Sequence, residues 1–281
     1  LRLTGTAQTE IASVEIRDTS KNHAGIYLHS ATVAEGMLSV GEAVKLQIDQ
    51  IRREDIMRNH TAAHLLQAAL RKVLGTHVEQ AGQLVDGEKL RFDFTHFSAM
   101  TAQEMLTVED MVNEEILKAV DVKIQEMPIE QAKKMGAMAL FGEKYGDIVR
   151  VVQVPGFSTE LCGGTHVDNT AKVGMFKMLG EGSVAAGVRR IEAVTGRGVL
   201  NVLNGCFTLI GDAAGALKIS NPRDLLRGCT QTMEELKEKD REIAQLNNKL
   251  AMLKMDDMFA NSELVKGVRI ISAAFTDVNV E

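Results

Sequence analysis

Two pairs of residues with the same spacing could together bind a metal ion. His60 and His64 lie four residues apart in RNHTAAHLL, and Cys162 and His166 lie four residues apart in ELCGGTHV. Three imidazoles and one thiolate make a complete tetrahedral set for Zn²⁺. Either pair alone is a weak signal, because such residues are more often structural than ligating. Together the pairs predict a zinc site assembled from two distant segments. Other histidines have no comparable partner and are expected to be non-ligands: His23, His77 and His96.

The residues around each pair limit the kinds of zinc site that this chain could form. A zinc protease carries a glutamate directly after its first histidine, whereas Thr61 and two alanines separate the histidines here, which argues against that class. Gly163 and Gly164 allow the cysteine loop to fold back sharply and leave backbone N–H groups unshielded. Four protein ligands make a closed site, whereas a catalytic zinc usually keeps one position for water. Either a ligand is displaced, therefore, or the ion positions a substrate while another group handles the water.

The composition is that of an ordinary globular protein. The 281 residues exceed one typical domain, and 45% of them are hydrophobic and 25% charged. No apolar run predicts a membrane-spanning helix, so no membrane partner is expected. Three cysteines are too few for a disulfide framework, which favours a reducing, cytoplasmic location. A start at Leu1 without an initiator Met or a signal peptide suggests a piece of a longer protein.

The charge balance limits how this protein could contact nucleic acid. A net charge of −6 argues against strong, sequence-independent binding by the whole surface. Any such contact must use local basic patches, and for each patch solvated surface charge is the alternative interpretation. The candidate patches are Arg52 with Arg53, Lys89 with Arg91, and Arg189 with Arg190.

The N-terminal segments predict short strands followed by a long helix. Residues 1–51 alternate in IASVEIR, GIYLHS and AVKLQI between glycine turns, which predicts a small β-barrel or meander. From Arg52 the apolar residues recur at helical spacing, and Gly75 provides a stop. The histidine pair therefore lies one helical turn apart on one face, as two ligands of one ion require.

Residues 52–205 mix strands and helices without regular βαβ alternation, which indicates an α+β fold. The residues from Thr101 to Glu104 match a capping box that opens a helix through about Ala119. The segment PGFSTELCGGTH, which carries the second metal pair, is predicted to be a loop. Five further segments predict strands: KLRFDF, VDVKIQEM, DIVRVVQV, VGMFKML and VRRIEAV.

The C-terminal part predicts a long amphipathic helix within residues 206–262. Leu236, Ile243 and Leu250 recur every seven residues among charged positions, which is typical of a coiled coil or helical hairpin. A helix packed on its own domain is the alternative. Residues 263–281 are expected to be the truncated start of a further domain.

Five sequence blocks, taken in order, resemble the editing domain of alanyl-tRNA synthetase. They are RNHTAAHLL, RFDF, GAMALFGEKYG, STELCGGTHV and GVRRIEAVTG. The resemblance is dense over residues 1–205, and the helix beyond Pro222 is similar to that family's coiled linker. It implies an α+β editing module of the threonyl/alanyl-tRNA synthetase second-additional-domain type, fronted by a small β-barrel.

The activity that the resemblance implies is hydrolysis of the ester that joins serine or glycine to alanine tRNA. An alanine pocket cannot exclude the smaller glycine by size, and one added hydroxyl is a weak basis for rejecting serine. The implied partner is the acceptor end of tRNA(Ala), and a homodimer through the C-terminal helical region is implied as well. ATP and Mg²⁺ belong to the family's aminoacylation domain, whose motifs are absent from these residues.

The resemblance also implies roles for individual residues. The metal pairs match the family's Zn²⁺ site, and Thr61 matches the hydroxyl residue associated with recognising the mischarged amino acid. Gln80 matches a glutamine of the editing pocket, where its amide would bond the substrate or orient water. Gly163 and Gly164 would hold the tRNA 3′ end, with backbone N–H groups available to an oxyanion. Two alternatives are a free-standing editing protein of the same superfamily and a tRNA-binding module with purely structural zinc.

Overall fold

The N-terminal strands form an open antiparallel sheet. They are β1 (Gly5–Gln8), β2 (Ser13–Lys21), β3 (Tyr27–Glu35) and β4 (Lys45–Ile48), in a computed structural model that describes residues 4–138 and 145–271. Their order is β3-β2-β1-β4, so β3 and β4 each have one strand neighbour within the described residues. The predicted barrel is therefore not closed here. Alternation and glycine turns predict hairpins, but closure depends on pairing between edge strands, which alternation does not specify.

The residues that follow build an α+β body, and the predicted fold class is confirmed. Two antiparallel sheets have the orders β10-β11-β6-β5 and β7-β8-β9. The elements in chain order are α1 (Gln50–Leu74), β5 (Gln80–Val85), β6 (Leu90–Thr95), α2 (Ala102–Leu117), β7 (Lys123–Pro128), α3 (Ile129–Lys134), β8 (Ile148–Val154), β9 (Ser158–Leu161), β10 (Phe176–Ala185) and β11 (Val188–Thr195).

Helix α1 is the central element of the core. It begins after Asp49, whose carboxylate accepts a hydrogen bond from the Arg52 N–H, and it ends at Gly75, whose φ of 116° favours glycine. Its middle turns are buried on all sides, and several of their apolar residues are fully buried: Ala62, Ala63, Leu65, Leu66, Ala69 and Leu70. Polar side chains on these turns are therefore held inside the protein, where each needs a partner.

The segment predicted as a loop before the second metal pair contains a strand. β9 pairs with β8 in antiparallel register, from Val154 opposite Ser158 to Val151 opposite Leu161. The chain reverses at Gly156, whose φ is 77°. The prediction of a loop was wrong here because the glycines on both sides of this four-residue strand mask its alternation. The strand ends directly before Cys162 and so fixes where the cysteine loop starts.

The C-terminal elements include the predicted long helix. They are α4 (Arg197–Ala216), α5 (Leu225–Ala260), β12 (Glu263–Val265) and β13 (Val268–Ile270). The chain divides into two compact units, Leu1–Leu203 and Asn204–Glu281. Helix α5 has no buried residue within the part of the chain that is described. Two predicted segments lie partly outside the described residues: GAMALFGEKYG at 139–144, and the final segment at 272–281.

Helix α4 qualifies the expectation that no segment could span a membrane. It has 20 residues and a mean hydropathy of 1.3, which is long and apolar enough by length and composition alone. Core helices of soluble proteins pass the same test, although only 11% of the most apolar stretch is buried here. One helix of this kind is weak evidence for a membrane segment.

Candidate metal centre

The two histidines of α1 lie on the buried side of the helix. His60 and His64 are 9% and 6% exposed, and their ring centroids are 5.2 Å apart. The spacing of four residues puts both rings on one face, as predicted from the sequence. The apolar turns around them force this face into the core, so the two imidazoles point into a site that excludes most water.

The loop after β9 brings the second pair to the same place. The Sγ atom of Cys162 lies 3.5 Å from Nε2 of His60 and 3.4 Å from Nε2 of His166. One potential donor atom from each of the four residues lies within 4.8 Å of the other three. The structure therefore assembles all four predicted ligands into one group that could hold a metal ion.

The geometry of this group fits a tetrahedral ion. Zn–N bonds of about 2.1 Å and a Zn–S bond of about 2.3 Å at tetrahedral angles put sulfur and nitrogen about 3.6 Å apart. Both measured sulfur–nitrogen distances agree with that spacing.

The electrostatics of the site also favour metal binding. Burial lowers the pKa of His60 to about 4 and that of His64 to about 3, and burial also lowers the pKa of His166. All three rings are therefore neutral near pH 7, which is the form that donates a lone pair to a metal. The site needs no proton to be removed from an imidazole before an ion binds.

Thr61 holds one of the ligands in place. Its Oγ1 lies 3.2 Å from Nδ1 of His166 and accepts a hydrogen bond of 3.2 Å from the N–H of Val167. Because the contact occupies Nδ1, it leaves Nε2 of His166 directed at Cys162. Partners of this kind fix the orientation of metal-binding imidazoles. The side chain is fully buried, so its hydroxyl belongs to the interior of the site.

Arg150, which the sequence analysis did not identify, fixes the cysteine loop. Its Nη1 donates hydrogen bonds to the carbonyl of Cys162 at 2.7 Å and to that of Gly164 at 2.6 Å. The N–H of Gly164 in turn lies 3.4 Å from Sγ of Cys162. One guanidinium on β8 thus holds both ends of the short turn that presents the thiol.

We expect Arg150→Met to weaken Zn²⁺ binding by about 10- to 100-fold, the loss typical when a partner that orients a ligand is removed. The substitution leaves two loop carbonyls without their shared donor, so Cys162 is no longer held towards His60. Competition with a chromophoric chelator measures the affinity. Arg150→Lys, which keeps the charge and can still donate, should recover part of the loss. Arg227→Met, on exposed α5, should leave the affinity unchanged; an equal loss in both methionine variants would contradict the prediction.

Glu160 is a second group that the sequence analysis missed. Its carboxyl is buried, accepts a hydrogen bond of 2.7 Å from Ser158 Oγ, and lies 3.6 Å from Nε2 of His64. Burial raises the pKa of Glu160 to about 8, while the pKa of His64 is low. Near pH 7 the pair is therefore an acid beside a neutral ring rather than an ion pair. The sequence analysis predicted a loop at this position; recognising β9 as a strand would have been the signal that places this side chain inward.

Comparison with known proteins shows which families share the sequence around these ligands. Residues 149–192, which contain the cysteine loop, match the family described as the threonyl and alanyl tRNA synthetase second additional domain. The chain is 48% identical over 277 residues to an alanine–tRNA ligase of Acetivibrio thermocellus, covering 99% of the chain and 31% of that relative. The chain is similar to one part of the alanyl-tRNA synthetases. Alanine–tRNA ligases of Bacillus cereus and Fusobacterium nucleatum are 48% and 46% identical to it and cover 92% and 91% of the chain.

The resemblance to alanyl-tRNA synthetase inferred from five sequence blocks is therefore confirmed. The chain spans about three-tenths of the length of these synthetases, with 31%, 29% and 29% of the three relatives covered. The second-additional-domain match includes Cys162 and His166, and the similarity to the synthetases extends over α1 with the other two ligands. Both halves of the metal centre thus lie in sequence shared with this family.

The glycines that the alanyl-tRNA synthetase resemblance singled out differ in their surroundings. A Cβ added to Gly164 would lie 2.1 Å from Cε1 of His60, whereas a Cβ added to Gly163 would meet nothing within 4 Å. Gly164 is therefore required for the loop to approach the first histidine. Gly163 is exposed, and its backbone lies open at the edge of the site.

The remaining predicted residues lie on the sheet beside α1. Gln80 begins β5 opposite Phe94 of β6 and is half-buried; it contributes no atom to the four-ligand group. Both arginines of the candidate nucleic-acid patch at Arg189 and Arg190 are paired with acids. Arg190 donates to the Asp93 carboxylate at 2.7 and 2.8 Å, and its hydrogen bond lowers the pKa of that acid. Arg189 is likewise bonded to Glu181.

Proposed function

We propose that this chain is the editing module of an alanyl-tRNA synthetase and hydrolyses Ser-tRNA(Ala) and Gly-tRNA(Ala). The observation that carries the proposal is the buried group of four ligands, which spans the second-additional-domain match and the shared helix α1. The aminoacylation reaction, with its ATP and Mg²⁺, would belong to another part of a full-length synthetase. The proposal places the reaction in the cytoplasm, where Cys162 stays reduced and able to ligate.

Each predicted residue has a place in this reaction. A Zn²⁺ ion held by the four ligands would supply a fixed positive charge that orients the acceptor end and its aminoacyl group. The exposed backbone at Gly163 would donate an N–H to the oxygen that becomes negative as the ester is attacked. Gln80 would orient the attacking water through its neutral amide. Thr61 would recognise the substrate hydroxyl. It would do so either through the His166 ring, which it positions, or directly, once its hydroxyl no longer contacts that ring.

The proposed site would separate wrong from correct aminoacyl-tRNA in a second, hydrolytic step rather than by tighter selection in the activating pocket. An activating pocket built for alanine admits glycine because glycine is smaller, and it rejects serine only weakly. A separate hydrolytic site needs to bind the products of those errors and to exclude the alanyl ester. We propose residues 52–205 as this part, while α5, which has no buried residue among those described, would support a homodimer in the full-length protein.

The proposal predicts preferential release of serine from alanine tRNA. The full 281-residue chain, loaded with Zn²⁺, is incubated with tRNA(Ala) charged with labelled serine, glycine or alanine, and the released amino acid is followed over time. We expect seryl and glycyl esters to be hydrolysed at least tenfold faster than the alanyl ester, since a double-sieve site contributes a factor that binding alone cannot.

A parallel gel-shift measurement reports whether the chain binds the same tRNA. Binding without preferential hydrolysis would favour a tRNA-binding module with purely structural zinc. Neither binding nor hydrolysis at saturating protein would contradict both the editing and the binding functions for this chain.

A further inference from the structure

Stacked rings lead from the core to the surface along one face of β6 and just beyond its end. Phe92, Phe94 and His96 alternate on this face, and the centroids of successive rings are 6.4 Å apart at interplanar angles of 25° and 26°. The two phenylalanines are fully buried, whereas His96 lies past the end of the strand. The buried rings therefore lead to a half-buried one just past the end of the strand.

The stack continues in two further rings, which are exposed. His77 lies 5.2 Å from His96 at 24°, and Phe97 lies 5.5 Å from His77 at 19°. Phe97 is 88% exposed, although burying such a ring would stabilise the fold. We call His77, His96 and Phe97 the aromatic platform. A set of aligned rings kept in solvent is a surface that can stack another flat ring.

Hydrogen bonds hold the aromatic platform in one arrangement. Nε2 of His77 and Nδ1 of His96 are 3.0 Å apart and share a hydrogen bond. Thr95 Oγ1 donates to the carbonyl of His77 at 2.8 Å and accepts from the Glu79 N–H at 2.9 Å. Gly75 lets the chain turn just before His77, since an added Cβ would lie 3.0 Å from the Nδ1 atom of this ring. A surface that is already ordered loses little entropy when it binds.

Positive charge and location indicate which ligand the platform fits. Arg71 lies in the last turn of α1, with its Nη1 donating to the carbonyl of Val78 at 2.6 Å, and Lys72 follows it. Arg71 thus contacts the residue next to His77, whereas the Lys72 ammonium lies 3.7 Å from the centroid of the Phe157 ring. The Arg71 cation suits a phosphate backbone. The same helix carries the metal-binding His64 ten residues before its end, a rise of about 15 Å. A short unpaired strand of RNA can span that distance.

We propose that the aromatic platform stacks an unpaired nucleobase of the tRNA acceptor end while the terminal ester lies at the metal centre. This inference rests on the proposed editing function. Proteins bind unpaired RNA by stacking its bases on exposed aromatic rings, and this mode tolerates any base because each has a π face. The platform would hold the strand by its penultimate bases and leave the terminal nucleotide free to enter the site.

The test uses an RNA minihelix with the acceptor stem and its four unpaired 3′ nucleotides. 2-Aminopurine replaces each unpaired base in turn, because its fluorescence is quenched when it stacks on a ring. We expect quenching at one or two internal positions on adding the full chain, and Phe97→Ala should abolish it. Phe97→Ala should also weaken binding about 5- to 100-fold, the range found when a stacking aromatic ring is removed. Phe97→Tyr should retain both signals.

Two controls keep the result specific. Phe207→Ala removes another exposed phenylalanine, on α4, and should change neither quenching nor affinity. A blunt minihelix without the unpaired end should bind the wild-type and Phe97→Ala chains equally. Quenching at no position, or quenching unchanged in Phe97→Ala, would overturn the platform even if serine release proceeds. Conversely, Phe97-dependent quenching without any preferential serine release would leave the platform standing and overturn the editing function.

Discussion

Gly164→Ala should lower the affinity for Zn²⁺ by at least about tenfold, because the new methyl group takes the place of the His60 ring. The added Cβ would lie 2.1 Å from Cε1 and 2.5 Å from Nδ1 of that ring. Either His60 rotates away or the cysteine loop retreats, and both movements separate ligands that now lie 3.5 Å apart. Loss of a properly oriented ligand costs at least as much affinity as loss of the groups that orient it. Chelator competition measures the Zn²⁺ affinity. This affinity and the rate of serine release from Ser-tRNA(Ala) should fall together.

The neighbouring glycine provides a matched control. Gly163→Ala adds the same methyl group one residue earlier in the loop, where nothing lies within 4 Å. Its Zn²⁺ affinity should match that of the wild-type chain. If Gly164→Ala retains wild-type affinity, the close approach of the loop to His60 is not required for binding, and the proposed packing of the metal centre is wrong.

Cys162→Ala should abolish tight Zn²⁺ binding and serine release together. The thiol supplies the only sulfur in the four-ligand group, and alanine leaves three imidazoles with an open position. We expect affinity to fall by at least about 100-fold, beyond the loss caused by disturbing an orienting partner. Ligand binding stabilises the folded state, so excess Zn²⁺ should raise the melting temperature of the wild-type chain but not of this variant.

Cys206→Ala removes an exposed thiol from α4 and serves as the control, with Zn²⁺ content and hydrolysis expected to stay unchanged. Serine release that persists at the wild-type rate in Cys162→Ala, while Zn²⁺ is lost, would remove the metal from the reaction. If Zn²⁺ content and hydrolysis are lost in both variants alike, the loss does not depend on Cys162 as a metal ligand.

Local patterns predicted those parts of the fold that local physics determines. The stop at Gly75 and the capping box from Thr101 to Glu104 are present as expected, because caps depend on residues within one helical turn. Closure of the N-terminal sheet and the presence of β9 were predicted incorrectly. Both depend on which strands meet in space, and four-residue strands such as β9 carry too little alternation to reveal a partner.

In the candidate site, too, the sequence predicts some of the residues, and others become apparent only from the fold. The sequence reveals the four ligands because their residue types are rare and their spacing repeats. Arg150 and Glu160 were not predicted, since each acts through the fold: one reaches loop carbonyls across a strand, and the other lies beside a histidine about a hundred residues away. His77 and His96 were expected to be non-ligands, and they are not in the four-ligand group. The sequence could not predict that these two rings stack on each other, because the residues lie in different segments of the chain.

The separation of the two ligand pairs along the chain has a consequence for how this protein becomes stable. A metal ion that binds both His64 and Cys162 needs two residues about a hundred positions apart to meet, and bringing the ends of such a loop together costs the unfolded chain about 4 kcal/mol of free energy at room temperature. Folding supplies this free energy before the ion can bind both residues. During synthesis the histidine helix emerges well before the cysteine loop, so the ion can bind both residues only once most of the module has left the ribosome. Metal capture would then mark the completion of folding rather than its start.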